Sequence, residues 1–194
     1  KITFEEVEVP YLTLEELQTI MEKNILNDRL RRVRDVFVFS CFTGLAYSDT
    51  YFLTEEHLHK ANDGKIWIKK PRQKTKVVAD IPLLEVPLQI LEKYRGQQTG
   101  GRLLPVCSNQ KVNQYLKELA TVCGINKELT YHVARYTFAT SLTLLHDVPM
   151  ASIAKMLGHT NIRQTQHYAK ATNILVGRSM QNLSEQLNLH MEVK

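Results

Sequence analysis

One stretch of this chain departs from the helical period that governs the rest. Between residues 65 and 84, the runs Ile66-Trp67-Ile68 and Val77-Val78-Ala79-Asp80-Ile81 are rich in β-branched and aromatic residues. Such residues suit a pleated, half-buried surface. The runs flank the basic stretch Lys69-Lys70-Pro71-Arg72-Gln73-Lys74-Thr75-Lys76, and Asn62-Asp63-Gly64 precedes them. This pattern predicts two short strands joined by a basic turn. Residues 1–10 read as extended, and the remainder is helical. Thr13 is the expected N-cap of a first helix, with Glu16 completing a capping box. Leu14, Leu17, Ile20 and Met21 follow at helical spacing. A second helix is predicted over residues 27–43, with Asp28 near its start and Gly44 at its end. Further helices are predicted at about 86–96, 109–123, 131–146, 149–157, 160–170 and 172–190. The fold expected is mainly α with a small antiparallel β-sheet, an α+β architecture.

A length of 194 residues allows one good core, so residues 1–194 are expected to form a single domain. The formal charge of +5 suits an anionic partner without identifying one. Three scattered cysteines, Cys41, Cys107 and Cys123, lack metal-ligand spacing and suggest a reduced, intracellular setting. No apolar run approaches the roughly 20 residues that a membrane helix needs. The chain opens on Lys1 and not on Met, so a fragment is the expectation.

The chemistry is concentrated between Tyr131 and Tyr168. His132 and Arg135 stand three apart, so on a helix they share a face and can approach one oxyanion together. His159 follows Leu157-Gly158, and Tyr168 lies nine residues further on. Cationic and neutral donors around a nucleophile are what a phosphodiester requires. Taken singly, each residue has an ordinary structural reading. A lone histidine at a helix boundary is usually structural, a lone tyrosine usually packing, and Lys74 on a basic turn usually a solvated lysine.

The order of these residues along the chain resembles the catalytic domain of the tyrosine recombinases, the phage-integrase family. The matching stretches are Phe42-Thr43-Gly44-Leu45, Arg72-Gln73-Lys74-Thr75, His132-Val133-Ala134-Arg135-Tyr136-Thr137-Phe138-Ala139-Thr140, Leu157-Gly158-His159-Thr160 and Thr165-Gln166-His167-Tyr168-Ala169. The likeness runs from about residue 10 to the end and has the flavour of integrases of bacterial mobile elements, conjugative transposons in particular. It implies site-specific DNA recombination, integrating or excising an element through a 3′-phosphotyrosine and a Holliday junction. Tyr168 would then be the nucleophile and Arg135 would hold the non-bridging oxygens. His132 and His159 would donate hydrogen bonds to the same phosphate, and His132 could help take the tyrosine proton. Lys74 would protonate the leaving oxygen. The scheme requires no cofactor and no metal.

One position departs from that family. An arginine usually follows Thr-Gly-Leu directly, and here that place is Ala46. Losing a cation beside the phosphate should cost about 2–4 kcal/mol of transition-state stabilisation, by analogy with single oxyanion donors. Arg34 is the preferred stand-in, although 12 residues of straight helix would separate it from Ala46 by about 18 Å. Arg29, Arg31 and Arg32 are rivals. Otherwise the enzyme works without that arginine, or the chain is inactive.

Lys69, Lys70, Arg72, Lys76 and Lys111 are expected to contact DNA phosphates and to make binding salt-dependent. A solvated surface is the equal alternative for each. Leu175, Met180, Leu183, Leu187 and Met191 give the segment 172–194 an apolar stripe, suited either to a neighbouring subunit or to its own domain. The resemblance implies double-stranded DNA as partner, a homo-oligomer (a tetramer) on that DNA, a DNA-bending accessory protein, and a bacterial cytoplasmic, nucleoid-associated setting. The readings in competition are a catalytically inactive DNA-binding relative and a strand relaxation of the type IB topoisomerase kind.

Overall fold

The structure is a computed structural model that describes residues 10–168 and 172–187, with the side chains of residues 172–175 left aside. The expected extended segment before Pro10, the end of the 160–170 helix, and the places of Leu175 and Met191 on the apolar stripe fall outside that description. In order come α1 (Leu14–Glu22), α2 (Asp28–Thr43), α3 (Tyr47–Tyr51), a 3-10 turn (Glu55–His57), β1 (Leu58–Lys60), β2 (Ile66–Pro71), β3 (Val78–Pro82), α4 (Glu85–Tyr94) and α5 (Asn109–Cys123). Then follow α6 (Tyr131–Thr137), a π-helical turn (Phe138–Thr143), a 3-10 turn (Leu144–His146), α7 (Met150–Met156), α8 (Arg163–Gln166) and α9 (Thr172–Leu187).

The capping box at α1 forms as the sequence predicts, with Thr13 and Glu16 satisfying each other's backbone N–H. Helix α2 is the spine. Its residues from Val36 to Cys41 are all buried, which is the pattern of a helix enclosed on every side, and α1, α4, α5 and α6 pack against it. Asp35 is buried within that packing and accepts hydrogen bonds from Arg34 Nε (3.0 Å), Lys93 Nζ (2.6 Å) and the Tyr94 hydroxyl (2.7 Å). Three donors offset the desolvation of its charge.

The sheet has three antiparallel strands in the order β1-β2-β3, one more than the period suggested. Strand β1 is only three residues, Leu58-His59-Lys60, too short to show an alternation. Leu58 pairs with Ile68 and Ile68 with Ile81. The five-residue helix α3 also went unpredicted, because one turn carries no periodicity.

The predicted helix over 131–146 is in fact α, then π, then 3-10. Hydroxyls explain the change, since Ser and Thr offer the backbone alternatives to regular helix bonds. Thr137 Oγ1 donates to Val133 O (2.9 Å) and accepts from Leu12 N (3.0 Å). Ser141 Oγ donates to Leu12 O, and Thr143 Oγ1 donates to Phe138 O and Ala139 O. The widened turn thereby captures both backbone groups of Leu12, pinning the start of the described chain to the helix that carries Arg135.

Candidate active site

Two close approaches assemble the site. Gly44 ends α2 in the left-handed region at φ 67°. A Cβ there would lie 2.5 Å from Phe138 Cδ1 and 2.7 Å from Leu157 Cδ2, so only glycine allows α2, α6 and α7 to meet. Gly158, at φ 60°, ends the turn after α7, and a Cβ on it would lie 2.7 Å from Arg72 Cδ. The β2–β3 hairpin therefore crosses directly over the Leu157-Gly158-His159 turn.

Arg135 is buried at the centre, 4% exposed. Its Nη1 donates to Gly44 O (2.5 Å) and its Nη2 to Leu157 O (2.7 Å), so both glycine-bearing turns orient one guanidinium. Nη2 also lies 3.0 Å from His159 Nε2. Burial lowers the Arg135 pKa while the hydrogen-bonded Tyr168 phenol opposes that shift; an arginine remains charged throughout.

His159 is in turn 2.8 Å from Thr165 Oγ1 through Nδ1. Because Arg135 can only donate, Nε2 must accept, which places the ring proton on Nδ1, facing Thr165. Burial, then Arg135 and Arg72, push the His159 pKa down to about 4, so the ring is neutral at pH 7. Tyr168 is buried, with its ring parallel to that of His159 at 6.1 Å between centroids. Tyr136 stands edge-on to Tyr168 (4.7 Å) and to His132 (5.1 Å), joining the three rings into one wall. His132 keeps an exposed edge. Its pKa is lowered by desolvation, then by Arg135 and Arg72.

The structure thus brings Tyr168, Arg135, His132 and His159 together, and Arg72 joins them. Arg72 had been expected only as a phosphate contact. Buried Asp49 accepts from Arg72 Nε (3.4 Å) and from the backbone N–H of Gln73 (2.8 Å), anchoring the hairpin at its base. Lys74 stands exposed on the turn two residues beyond. It makes no hydrogen bond or ion pair among the described residues.

Two expectations need correction. Arg34 is not at the cluster. It donates to Asp35 and to Lys23 O (2.9 Å), tying the end of α1 to α2. The bend that would have carried it to Ala46 does not occur, because α2 runs unbroken to Thr43. Of the rivals, Arg29 lies over the Tyr115 ring near Glu118, and Arg31 pairs with Asp28. Lys70 cannot contact DNA as predicted. It is 3% exposed, donating to Phe52 O (2.9 Å) beside His57 Nε2 (3.0 Å). Strand alternation turns Lys70 inward and leaves Lys69 outside. Lys69, Lys76 and Lys111 are exposed.

Thr165, Asp49, Tyr136 and the Gly44 carbonyl were not singled out from sequence. Gly44, Tyr136 and Thr165 did lie within the matching stretches, whereas Asp49 lay outside them. Beside Arg135 and His132 lies a cavity of about 240 Å³, also lined by Ala46, Tyr47, Asn109, Asn113, Thr130 and Tyr131.

A mostly helical frame with a three-stranded sheet, presenting a tyrosine, two histidines and buried arginines in one cleft, is the arrangement of a tyrosine recombinase catalytic domain. The family model described as the phage integrase family matches residues 10–173, and the chain belongs to that family. Tyrosine recombinase XerC of Rickettsia canadensis is 28% identical over 153 residues, covering 73% of this chain and 48% of the relative. The crystal structure of XerA recombinase superposes with a TM-score of 0.69 at 19% identity, over 94% of this chain and 66% of that one. A Tn1549 transposon integrase in complex with circular intermediate DNA gives 0.62 at 19% identity, over 93% and 69%. The chain spans about half the length of the curated relative it matches.

Proposed function

We propose that this chain is the catalytic part of a site-specific DNA recombinase that integrates or excises a mobile element by a 3′-phosphotyrosine route. The observation that carries the reading is the buried Arg135, which contacts both His159 and the Tyr168 phenol. The Tyr168 phenolic oxygen forms a bond to the scissile phosphorus as the bond to the 5′-oxygen breaks. Its proton passes to neutral His132, whose lowered pKa keeps it free to accept at pH 7. Arg135 neutralises charge developing on the non-bridging oxygens. The hairpin carrying Lys74 closes on the duplex, and Lys74 gives a proton to the leaving 5′-oxygen. His159 becomes a donor to phosphate when the anion draws Arg135 Nη2 away from Nε2. Thr165 can then donate to Nδ1, since a hydroxyl both accepts and donates.

Rejoining to a partner strand repeats these steps in reverse, with a Holliday junction between the two exchanges. Lys69, Lys76 and Lys111 track the phosphates. The neighbours bound to DNA in their solved structures support duplex DNA as partner. Met180, Leu183 and Leu187 are exposed on α9, which touches the rest of the chain through Arg178 to Leu145 O and Asn182 to Asp147 (3.2 Å). That face suits docking on a neighbouring subunit in a tetramer, on nucleoid DNA bent by an accessory protein in the bacterial cytoplasm.

The test is a nicked or phosphorothiolate suicide substrate carrying the element's end, given to the full-length protein. A covalent adduct on a denaturing gel that disappears with Tyr168→Phe is expected. No adduct from a protein that binds its site overturns the reading.

A further inference from the structure

We infer that Arg72 is a catalytic residue, its guanidinium supplying to the scissile phosphate the second cation that position 46 does not provide. This rests on the recombinase reading above.

The geometry begins with Asp49. Two of its contacts, to Arg72 Nε and Gln73 N, fix the first residues of the hairpin turn. The turn is closed by Arg72 N to Val77 O and Lys76 N to Arg72 O, both 2.9 Å. The arginine stem then lies against Gly158, where no Cβ would fit. The side chain is held at Nε by a carboxylate and along its stem by a glycine, and no hydrogen bond among the described residues engages its terminal nitrogens. Only 13% of the side chain is exposed, so it is built into the site and is not a solvated surface group. Its field reaches Arg135, His132 and His159.

Two guanidiniums and two neutral histidines thus share one cleft. Asp49 is the carboxylate against them, and it is occupied at Arg72 Nε and the Gln73 backbone. A site with excess buried positive charge favours an anion that brings charge to it, and a phosphodiester does so most strongly in its pentacoordinate transition state. Planar, forked guanidiniums are the groups that hold such oxygens in pairs. Ala46, meanwhile, borders the cavity beside Arg135 and His132. Arg72 acts on the same Arg135 and His132 from the hairpin.

The experiment compares the full-length wild type, Arg72→Gln, Arg72→Lys and the double variant Ala46→Arg with Arg72→Gln on the same suicide substrate. Glutamine keeps a donor for Asp49, so the hairpin stays anchored. Circular dichroism and binding to an uncleavable site are measured alongside. Arg72→Gln is expected to slow adduct formation by about 10²–10³-fold while site binding weakens by less than about tenfold, the size expected of one lost phosphate contact. Arg72→Lys is expected to stay well below wild type, because an ammonium lacks the fork. The double variant is expected to recover at least tenfold over Arg72→Gln, a rescue that a merely structural role for Arg72 would not produce. Cleavage by Arg72→Gln within threefold of wild type overturns the inference and leaves the recombinase reading standing. So does equal loss of binding and cleavage. Failure of the double variant to recover overturns the exchange of roles between positions 46 and 72. No adduct from the wild type overturns the recombinase reading, and this inference falls with it.

Discussion

Replacing Gly44 by alanine should cost far more than replacing Gly124, although the two backbones are nearly alike. Both glycines cap a helix in the left-handed region, at φ 67° and 68°. An L-residue there costs about 1–2 kcal/mol, partly offset because alanine stiffens the unfolded chain by about 0.4–1 kcal/mol. Gly124→Ala meets nothing within 4 Å and should therefore lose about 1 kcal/mol. Gly44→Ala drives its new methyl to 2.5 Å from Phe138 Cδ1 and 2.7 Å from Leu157 Cδ2. Phe138 is 4% exposed and Leu157 is 0%, so neither has open space to retreat into. Overpacking of this kind adds about 1–3 kcal/mol, for a total of about 2–4 kcal/mol. With a urea m-value of about 2 kcal/mol/M, the midpoint should fall by about 1–2 M for Gly44→Ala and about 0.5 M for Gly124→Ala. Any shift of residue 44 also moves the carbonyl that holds Arg135 Nη1, so Gly44→Ala should lose adduct formation as well. Equal midpoint shifts in the two variants would refute the packing argument.

Arg34→Ala is expected to leave suicide-substrate cleavage unchanged and to lower stability by about 1–3 kcal/mol, through lost charge-assisted bonds to Asp35 and Lys23 O; a selective loss of cleavage would return Arg34 to the site. Thr165→Val removes the acceptor of the His159 Nδ1–H while Arg135 still donates to Nε2, so nitrogen NMR should still show the Nδ1–H form, and cleavage should drop by about tenfold or more. A shift to the Nε2–H form would count against the assignment. His159 also makes stability depend on pH. Its folded pKa of about 4 lies below the ordinary histidine value of 6.5, so the unfolded chain binds the extra proton first. The stabilisation is complete above pH 6.5 and is lost as the pH falls toward 4. Allowing for solvent screening, about 1–2 kcal/mol is at stake, and His159→Gln should flatten the slope of urea midpoint against pH in that window. Parallel slopes would exclude His159 as the source.

Much of the fold was legible because it depends on local rules. The Thr13–Glu16 box, the end of α2 at Gly44, the hairpin around Lys74 and the helix at 109–123 each follow from near-neighbour spacing. Short elements escaped notice, because β1 and α3 are shorter than the period that would reveal them. The break of the 131–146 helix was written in Thr137, Ser141 and Thr143. For Thr137 and Ser141 the meaning depended on Leu12, more than a hundred residues away, being there to bond with.

The sequence by itself determined which chemical groups are present and in what order, since residue types and motif spacing are properties of the chain alone. It therefore indicated Tyr168, Arg135, His132 and His159, and it exposed the gap at Ala46. Only the tertiary structure decided which arginine stands beside Arg135. Arg34 is twelve residues from Ala46, yet a rigid helix and Asp35 keep it away. Arg72 is twenty-six residues from Ala46 and reaches the cluster because Asp49 anchors its hairpin and Gly158 leaves room for its stem. Distance along a chain measures helix length, whereas proximity in a fold is set by which surfaces can close without a clash.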